Sequence, residues 1–127
     1  MAETEKITIN VNVVDLGKID LLVEQGFYSN RTDFIKSSIR SELSEHADTV
    51  DRIISDKKLL LGVSYYSKKD LDEVVASKKA LDIKVIGMLV IADDVDPELV
   101  RKSIHSLKVL GVLRASTDVR KALDELK

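Results

Sequence analysis

Seven residues near the amino terminus alternate strictly between polar and apolar side chains, and this alternation constrains the fold more than any other feature. Residues 6–12 read Lys-Ile-Thr-Ile-Asn-Val-Asn, the two-residue period of a β-strand with one buried side. Ile7, Ile9 and Val11 lie on the apolar side. A single strand has two unpaired edges, so the pattern predicts a strand that needs a partner strand.

Two amphipathic helices are predicted directly after this strand. Asn12 is placed to cap the first helix, and Gly26 is placed to end it in a left-handed conformation. The second helix begins at Ser29 or Asn30, with Asp33 placed to close a capping box with Asn30. The apolar positions at helical spacing are Leu16, Ile19, Leu22 and Val23, then Phe34, Ile35, Ile39 and Leu43. One pair of helices cannot cover the strand, so we expect two copies to pair their strands antiparallel about a two-fold axis.

The second half of the chain alternates strands and helices. We predict strands over residues 59–66, 84–92 and 112–113, and helices that start at Ser67, at Asp96-Pro97 (ending at Gly111) and at Thr117. This order implies a small, mainly parallel sheet. No Gly or Pro occurs between Gly26 and Gly62, so residues 46–57 are expected to form a helical connection. The predicted fold is α+β overall: a β-α-α domain over residues 1–45 and a small α/β domain, β-α-β-α-β-α, over residues 58–127.

The first third of the chain resembles a known family. Its segments Lys-Ile-Thr-Ile-Asn-Val, Gly-Phe-Tyr-Ser-Asn-Arg-Thr-Asp and Phe-Ile-Lys-Ser-Ser-Ile-Arg follow the order and spacing of the ribbon-helix-helix regulators of the CopG, Arc, MetJ and NikR type. The resemblance covers residues 5–45. It implies an intertwined homodimer that inserts a two-stranded β-ribbon into the major groove of double-stranded DNA.

The resemblance also implies two sets of DNA-contacting residues. The base-reading positions are Lys6, Thr8 and Asn10. Their chemistry fits this role, since Lys suits guanine, Asn suits adenine and Thr can donate, accept or contact a thymine methyl group. The phosphate-binding positions are Ser29, Asn30, Arg31 and Thr32, at the start of the second helix. Asp33 departs from the pattern because its charge opposes a phosphate. The structural alternatives are a solvent-facing edge strand and an ordinary helix cap.

Charge and composition limit the possible functions. The net charge of −2 counts mildly against a nucleic-acid ligand. Residues 1–56 hold six basic and eleven acidic residues, whereas residues 57–127 hold fourteen and eleven. The absence of cysteine excludes disulfides and thiolate zinc sites and suits a reducing cytoplasm. The sequence has neither a signal-peptide pattern nor an apolar run long enough to span a membrane, so we expect a cytoplasmic protein without a membrane partner.

Other polar residues suggest weaker alternatives. Asp93, Asp94 and Asp96 could hold a divalent cation, but such a cluster is more often a solvated loop with a helix cap. His46 and His105, the latter expected on a helix, are interpreted as structural, so no metal and no cofactor is expected. The lysine pairs at 57–58, 68–69 and 78–79 form either a solvated face or a basic surface that supplements DNA binding. No nucleophile–base pair or Gly-rich phosphate loop occurs, so no catalytic residue is expected.

Together these patterns predict a sequence-specific DNA-binding repressor that acts as a homodimer and is not an enzyme. Residues 58–127 are interpreted as a domain for oligomerisation, effector binding or partner binding, and its exposed strand edges favour further homo-oligomerisation. The main alternative is a ribbon-helix-helix interaction module with little DNA binding, antitoxin-like or partner-binding, which the acidic first half favours. A small enzyme built on the α/β half is the second alternative.

Overall fold

The computed structural model describes residues 3–126, so residues 1, 2 and 127 of the two predicted domains lie outside it. The chain divides into two compact units, Met1–Ile53 (unit 1) and Ile54–Lys127 (unit 2). The elements are α1 (Val13–Glu24), α2 (Arg31–Glu45), α3 (Ala47–Lys57), β1 (Leu60–Tyr66), α4 (Lys68–Ala76), β2 (Leu81–Ile91), α5 (Pro97–Ser103), β3 (Ile104–Arg114) and α6 (Thr117–Asp124). The described part is therefore a mixed α/β structure with six helices and one three-stranded parallel sheet.

The first helix begins and ends where the sequence predicts. The Asn12 side-chain oxygen accepts the backbone N–H of Val14 at 2.8 Å, which satisfies one of the free donors at the start of α1. Gly26 adopts φ +86°, and the N–H of Phe27 donates to the carbonyl of Leu22 at 3.0 Å. These contacts form a glycine-based helix end. The second helix ends at Glu45, and α3 starts two residues later at Ala47.

The predicted strand over residues 6–12 is absent from the single chain, since the structure assigns neither helix nor strand to residues 3–12. A strand is defined by hydrogen bonds to a neighbouring strand, and a lone segment has no such neighbour. The apolar side of the segment is exposed: Ile7 keeps 74% and Ile9 63% of its accessible surface. The β-α-α arrangement of the first domain therefore remains a prediction for the assembled protein.

Unit 2 contains the core of the chain. Its strands lie in the order β1-β2-β3 with every pair parallel, and the predicted order β-α-β-α-β-α is found. Buried side chains of all three helices meet buried side chains of the sheet in one cluster, so the helices cover a single face of the sheet. The helical members of the cluster are Leu71, Leu99, Val100, Val119, Ala122 and Leu123. Successive crossovers of the same hand that run in one direction along a parallel sheet place their helices on one face, as the strand order β1-β2-β3 allows.

One predicted element is wrong. The helix expected from Asp96 to Leu110 ends at Ser103, and residues 104–114 form the long strand β3 instead of a short strand at 112–113. Ile104, Leu107 and Leu110 are spaced for a helix, but pairing with β2 from Leu81 to Val90 decides the conformation. A parallel strand there completes the sheet, and this non-local gain overrides a weak local preference. His105 accordingly lies on a strand and not on a helix.

Three glycines form one row across the middle of the sheet. Gly62 pairs with Gly87, and Gly87 pairs with Gly111. Their φ angles are +132°, +132° and +123°, which residues with a side chain rarely adopt. The three strands therefore share one local backbone distortion that depends on glycine in each of them.

Candidate nucleic-acid interface

The predicted base-reading residues all lie in the segment before α1. Lys6, Thr8 and Asn10 are exposed and belong to no helix or strand of the single chain. The carboxyl end of the segment is fixed, because Asn12 caps α1 through its side chain and its backbone carbonyl accepts the N–H of Leu16 at 2.9 Å. The structure thus places the three residues on one short exposed segment.

The predicted phosphate-binding residues surround the start of α2. The Asn30 side-chain oxygen accepts the N–H of Asp33 at 2.8 Å, as expected for a helix cap. The Asp33 carboxylate accepts the N–H of Ser29 at 2.9 Å, one residue before the expected capping-box donor. Asp33 therefore already occupies one of the backbone donors assigned to a phosphate. The first two N–H groups of α2, on Arg31 and Thr32, have no acceptor among the described residues, and they suit an anion.

Arg31 makes a contact that sequence reasoning missed. Its guanidinium forms two hydrogen bonds with the Asp20 carboxylate, each of 2.8 Å, which join α1 to α2. The hydrogen bond to Arg31 lowers the pKa of Asp20, and the same bond raises the pKa of Arg31. Both side chains remain about half exposed, at 48% and 56%. The pair spans eleven positions, and no local spacing rule connects residues that far apart.

The apolar stripes of unit 1 are half-buried on α1 and mostly exposed on α2 in the single chain. None of the described residues up to Ile53 is buried, whereas unit 2 has a continuous core. Phe27, Leu43 and Ile39 keep 71%, 61% and 47% of their accessible surface. A groove of about 340 Å³ lies between α1 and α2, with Ile19, Leu22 and Phe34 among its lining residues. An apolar surface of this extent on a folded unit indicates that another chain covers it.

Several polar side chains of unit 2 make contacts within the unit. Asp96 caps α5 by accepting the N–H of Leu99 at 2.8 Å, and Asp94 accepts the N–H of Lys68 at 3.2 Å. His105 lies 3.0 Å from the Asp82 carboxylate, which also accepts the Ser106 hydroxyl at 2.6 Å. Across residues 3–126, no three His, Cys, Asp or Glu side chains are grouped to hold a metal ion. Within the same range, no helix has the length and hydrophobicity to cross a membrane.

Comparison with known proteins identifies the family. The family model described as the Ribbon-Helix-Helix transcriptional regulator family matches residues 2–120, so the match extends well beyond the resemblance at residues 5–45 and includes most of unit 2. No curated protein and no solved structure matches the chain. A family match over most of the length, together with the exposed amphipathic segment and the capped helix pair, indicates a DNA-binding regulator. The chain belongs to the ribbon-helix-helix transcriptional regulator family.

Proposed function

We propose that this chain is a cytoplasmic, homodimeric repressor that reads the DNA major groove with an antiparallel ribbon formed by residues 6–12 of two copies. The observation that carries the proposal is that unit 1 buries none of its described residues in a single chain. Pairing two segments would satisfy their backbone donors and acceptors and would turn Ile7, Ile9 and Val11 toward the four helices. A second copy is thus the simplest source of the missing core.

In this dimer, the base-reading residues would be Lys6, Thr8 and Asn10. They share the side of the strand opposite Ile7 and Ile9, so ribbon formation would present all three side chains to the major groove. Asn10 offers the paired donor and acceptor that adenine requires, and Lys6 offers a donor for guanine. Two copies supply the set twice, which predicts a site with two related halves.

The phosphate contact would form at the start of α2. The free N–H groups of Arg31 and Thr32 and the positive end of the helix attract an anion. Arg31 would add a positive charge. For this contact its guanidinium must either bind Asp20 and the phosphate together or leave Asp20 to bind the phosphate. Asn30 and Ser29 hold the turn in shape through the cap.

Ile9→Asp tests the dimer. A charge on the buried side of the ribbon would abolish pairing and unfold unit 1, because a carboxylate cannot be buried there without a partner. Thr8→Asp is the matched control, since it places the same charge on the side that faces DNA. We expect a loss of helical circular dichroism and a smaller assembly in sedimentation for Ile9→Asp alone, because the pairing through unit 1 is lost. An Ile9→Asp protein with the helical content and the assembly size of the unchanged chain would contradict the proposal.

Asn10→Ala tests base reading. We expect it to relax the preference at one position of each half-site and to cost about 1–3 kcal/mol on the preferred site. Arg31→Ala should weaken binding to all duplexes alike. It should also reduce the slope of log affinity against log salt concentration by about one unit for each copy of the chain. Arg40→Ala, on the same helix, serves as the control. The measurement is selection from a random duplex pool at moderate salt, and an unchanged preference in Asn10→Ala would exclude the ribbon as the reader.

Two observations favour a second candidate function, a partner-binding module with little DNA affinity. Residues 1–56 carry a net charge of −5, and Asp20 holds the one arginine expected at the phosphate. The same selection experiment separates the two functions. A DNA reader binds duplexes with a steep salt dependence, whereas an interaction module binds no duplex at moderate salt. For residues 58–127 we propose a role in assembly beyond the dimer.

A further inference from the structure

The sheet of unit 2 has a face that none of the unit's own helices α4, α5 and α6 covers. Alternate residues of β2, among them Ile83, Val85 and Leu89, point to the helices and belong to the core. The residues between them point to the opposite side. That side, which we term the open face, consists of Leu61, Val63, Tyr65, Ile86, Met88, Val90, Leu110 and Val112. These eight apolar residues occupy adjacent strands in register, and they form one continuous surface.

Most of the open face is accessible in the single chain. Leu61, Tyr65, Val63 and Leu110 keep 68%, 60%, 58% and 49% of their accessible surface. Ile86, Val90 and Val112 are half-buried, and Met88 is buried. Parallel sheets occur almost only where both faces are covered, because their strands are apolar on both sides. A contiguous apolar patch of this size on a folded unit marks a contact surface.

We propose that the open face packs against the open face of a second copy of this chain. The pairing specifies the surface used by the assembly role proposed above for residues 58–127. It rests on that proposed assembly role and does not require that the ribbon reads DNA. In this pairing, the sheets of the two copies lie face to face about 10 Å apart. The apolar side chains of both open faces fill the space between the sheets.

The area of the open face suits this occupant. The exposed fractions correspond to roughly 500 Å² on each copy, or about 1,000 Å² in total, the lower bound for a specific interface. Charged residues are confined to its ends. Lys84 and Lys108 are paired in the row at the amino end, and Arg114 lies beside Val90 at the carboxyl end. An apolar centre with a charged rim is the usual anatomy of a protein interface.

Pairing through strand edges explains the surface less well. The outer edges of β1 and β3 are unpaired in the described chain, so a second copy could extend the sheet. An extended sheet would leave Leu61, Val63 and Tyr65 in water, and it would double the uncovered apolar area. Face-to-face packing removes that area from water, so the open face, and not an edge, is the favoured contact.

Cross-linking tests the proposal in the full chain. The natural sequence has no cysteine, so one introduced thiol reports one position. Ile86→Cys places a thiol on the central strand of the open face. If a two-fold axis passes through the centre of this face, the two copies of residue 86 lie close to each other. Val75→Cys is the control, because Val75 is an exposed valine on helix α4. A short bismaleimide should join Ile86→Cys chains at least about tenfold faster than Val75→Cys chains, since the sheet spacing brings only the former within reach. Equal rates would overturn the proposal.

A charge substitution tests the same contact by affinity. Val63→Lys should raise the concentration at which the assembly dissociates in sedimentation by at least about tenfold, whereas Val75→Lys should leave it unchanged. Val63 is exposed in the single unit, so the variant keeps its fold, which circular dichroism verifies. Identical dissociation curves would mean that the face is left open or is covered by another partner, and would refute the pairing. Val63→Lys should keep the wild-type DNA preference. If the wild-type chain has no preference, the proposed DNA reading fails while the cross-linking result still stands.

Discussion

Alanine substitutions at Gly62 and Gly87 separate two costs of adding a side chain: the unfavourable φ and a steric collision with the neighbouring strand. A Cβ built on Gly87 would overlap the carbonyl oxygen of Gly62, and it would lie only 3.0 Å from the carbonyl carbon. A Cβ on Gly62 meets nothing within 4 Å, although its φ of +132° is the same. Gly62→Ala therefore measures the conformational cost alone, and Gly87→Ala measures the same cost plus a collision between two strands.

The expected magnitudes follow from this difference. Gly62→Ala should cost about 1–3 kcal/mol for the unfavourable φ. Gly87→Ala should cost about 3–5 kcal/mol, because the strands must separate and lose about two ladder hydrogen bonds at about 1 kcal/mol each. A unit of this size has a total free energy of unfolding of about 4–11 kcal/mol, so the second variant loses a large part of it. Gly17→Ala is the helical control, with open space around it, and should stabilise α1 by about 1 kcal/mol.

Denaturant unfolding at one fixed protomer concentration measures these effects. Circular dichroism follows the whole chain, and tyrosine fluorescence emphasises unit 2, since Tyr65 and Tyr66 both lie on β1. The reasoning is refuted if Gly87→Ala unfolds at the same denaturant concentration as Gly62→Ala. That result would mean that the two glycines are not paired across the strands.

Two further predictions concern charged contacts. Asp20→Asn removes the carboxylate that binds Arg31, so the affinity for DNA should rise severalfold for every duplex sequence. The measurement is a salt titration of duplex binding. An unchanged or lower affinity would show that Asp20 positions Arg31 instead. The hydrogen bonds from Ser106 and then His105 lower the pKa of Asp82. Their contribution to stability is therefore present above the ordinary pKa of an aspartate and is lost as the pH falls through the lowered value. In Ser106→Ala, a carboxyl NMR titration should show the pKa of Asp82 rising toward the ordinary value, and no change would rule out this cause.

Local signals predicted the helix starts because a helix cap is a contact between neighbours. Ser67 and Asp70 form the expected capping box, with Ser67 accepting the N–H of Asp70 at 3.2 Å and Asp70 accepting the N–H of Ser67 at 2.9 Å. Asp96, followed by Pro97, starts α5 in the same way. Each of these contacts spans three residues, and it can be read from the sequence without knowledge of the rest of the fold.

Non-local contacts account for what the sequence did not predict. The apolar spacing of Ile104, Leu107 and Leu110 fits a helix, and only pairing with β2 selects the strand. The pair of Asp20 and Arg31 depends on how α1 and α2 meet, which the turn at Gly26 decides. Sequence patterns carry the preferences of single segments, whereas these outcomes depend on two segments at once.

The proposed base-reading residues differ from both cases, because the contact expected to order them would come from a second copy. Unit 2 closes its core within one copy, so its strands can be described from a single chain. Residues 6–12 have the sequence of a strand but no partner strand among the described residues, and no residue of α1 or α2 is fully buried. In the proposed dimer, formation of the reader and formation of the dimer would be one equilibrium, which would depend on protomer concentration. Any contact between copies of unit 2 raises the local concentration of the two segments. In this scheme, the α/β unit would strengthen DNA binding without touching a base, by increasing the fraction of chains whose ribbons are formed.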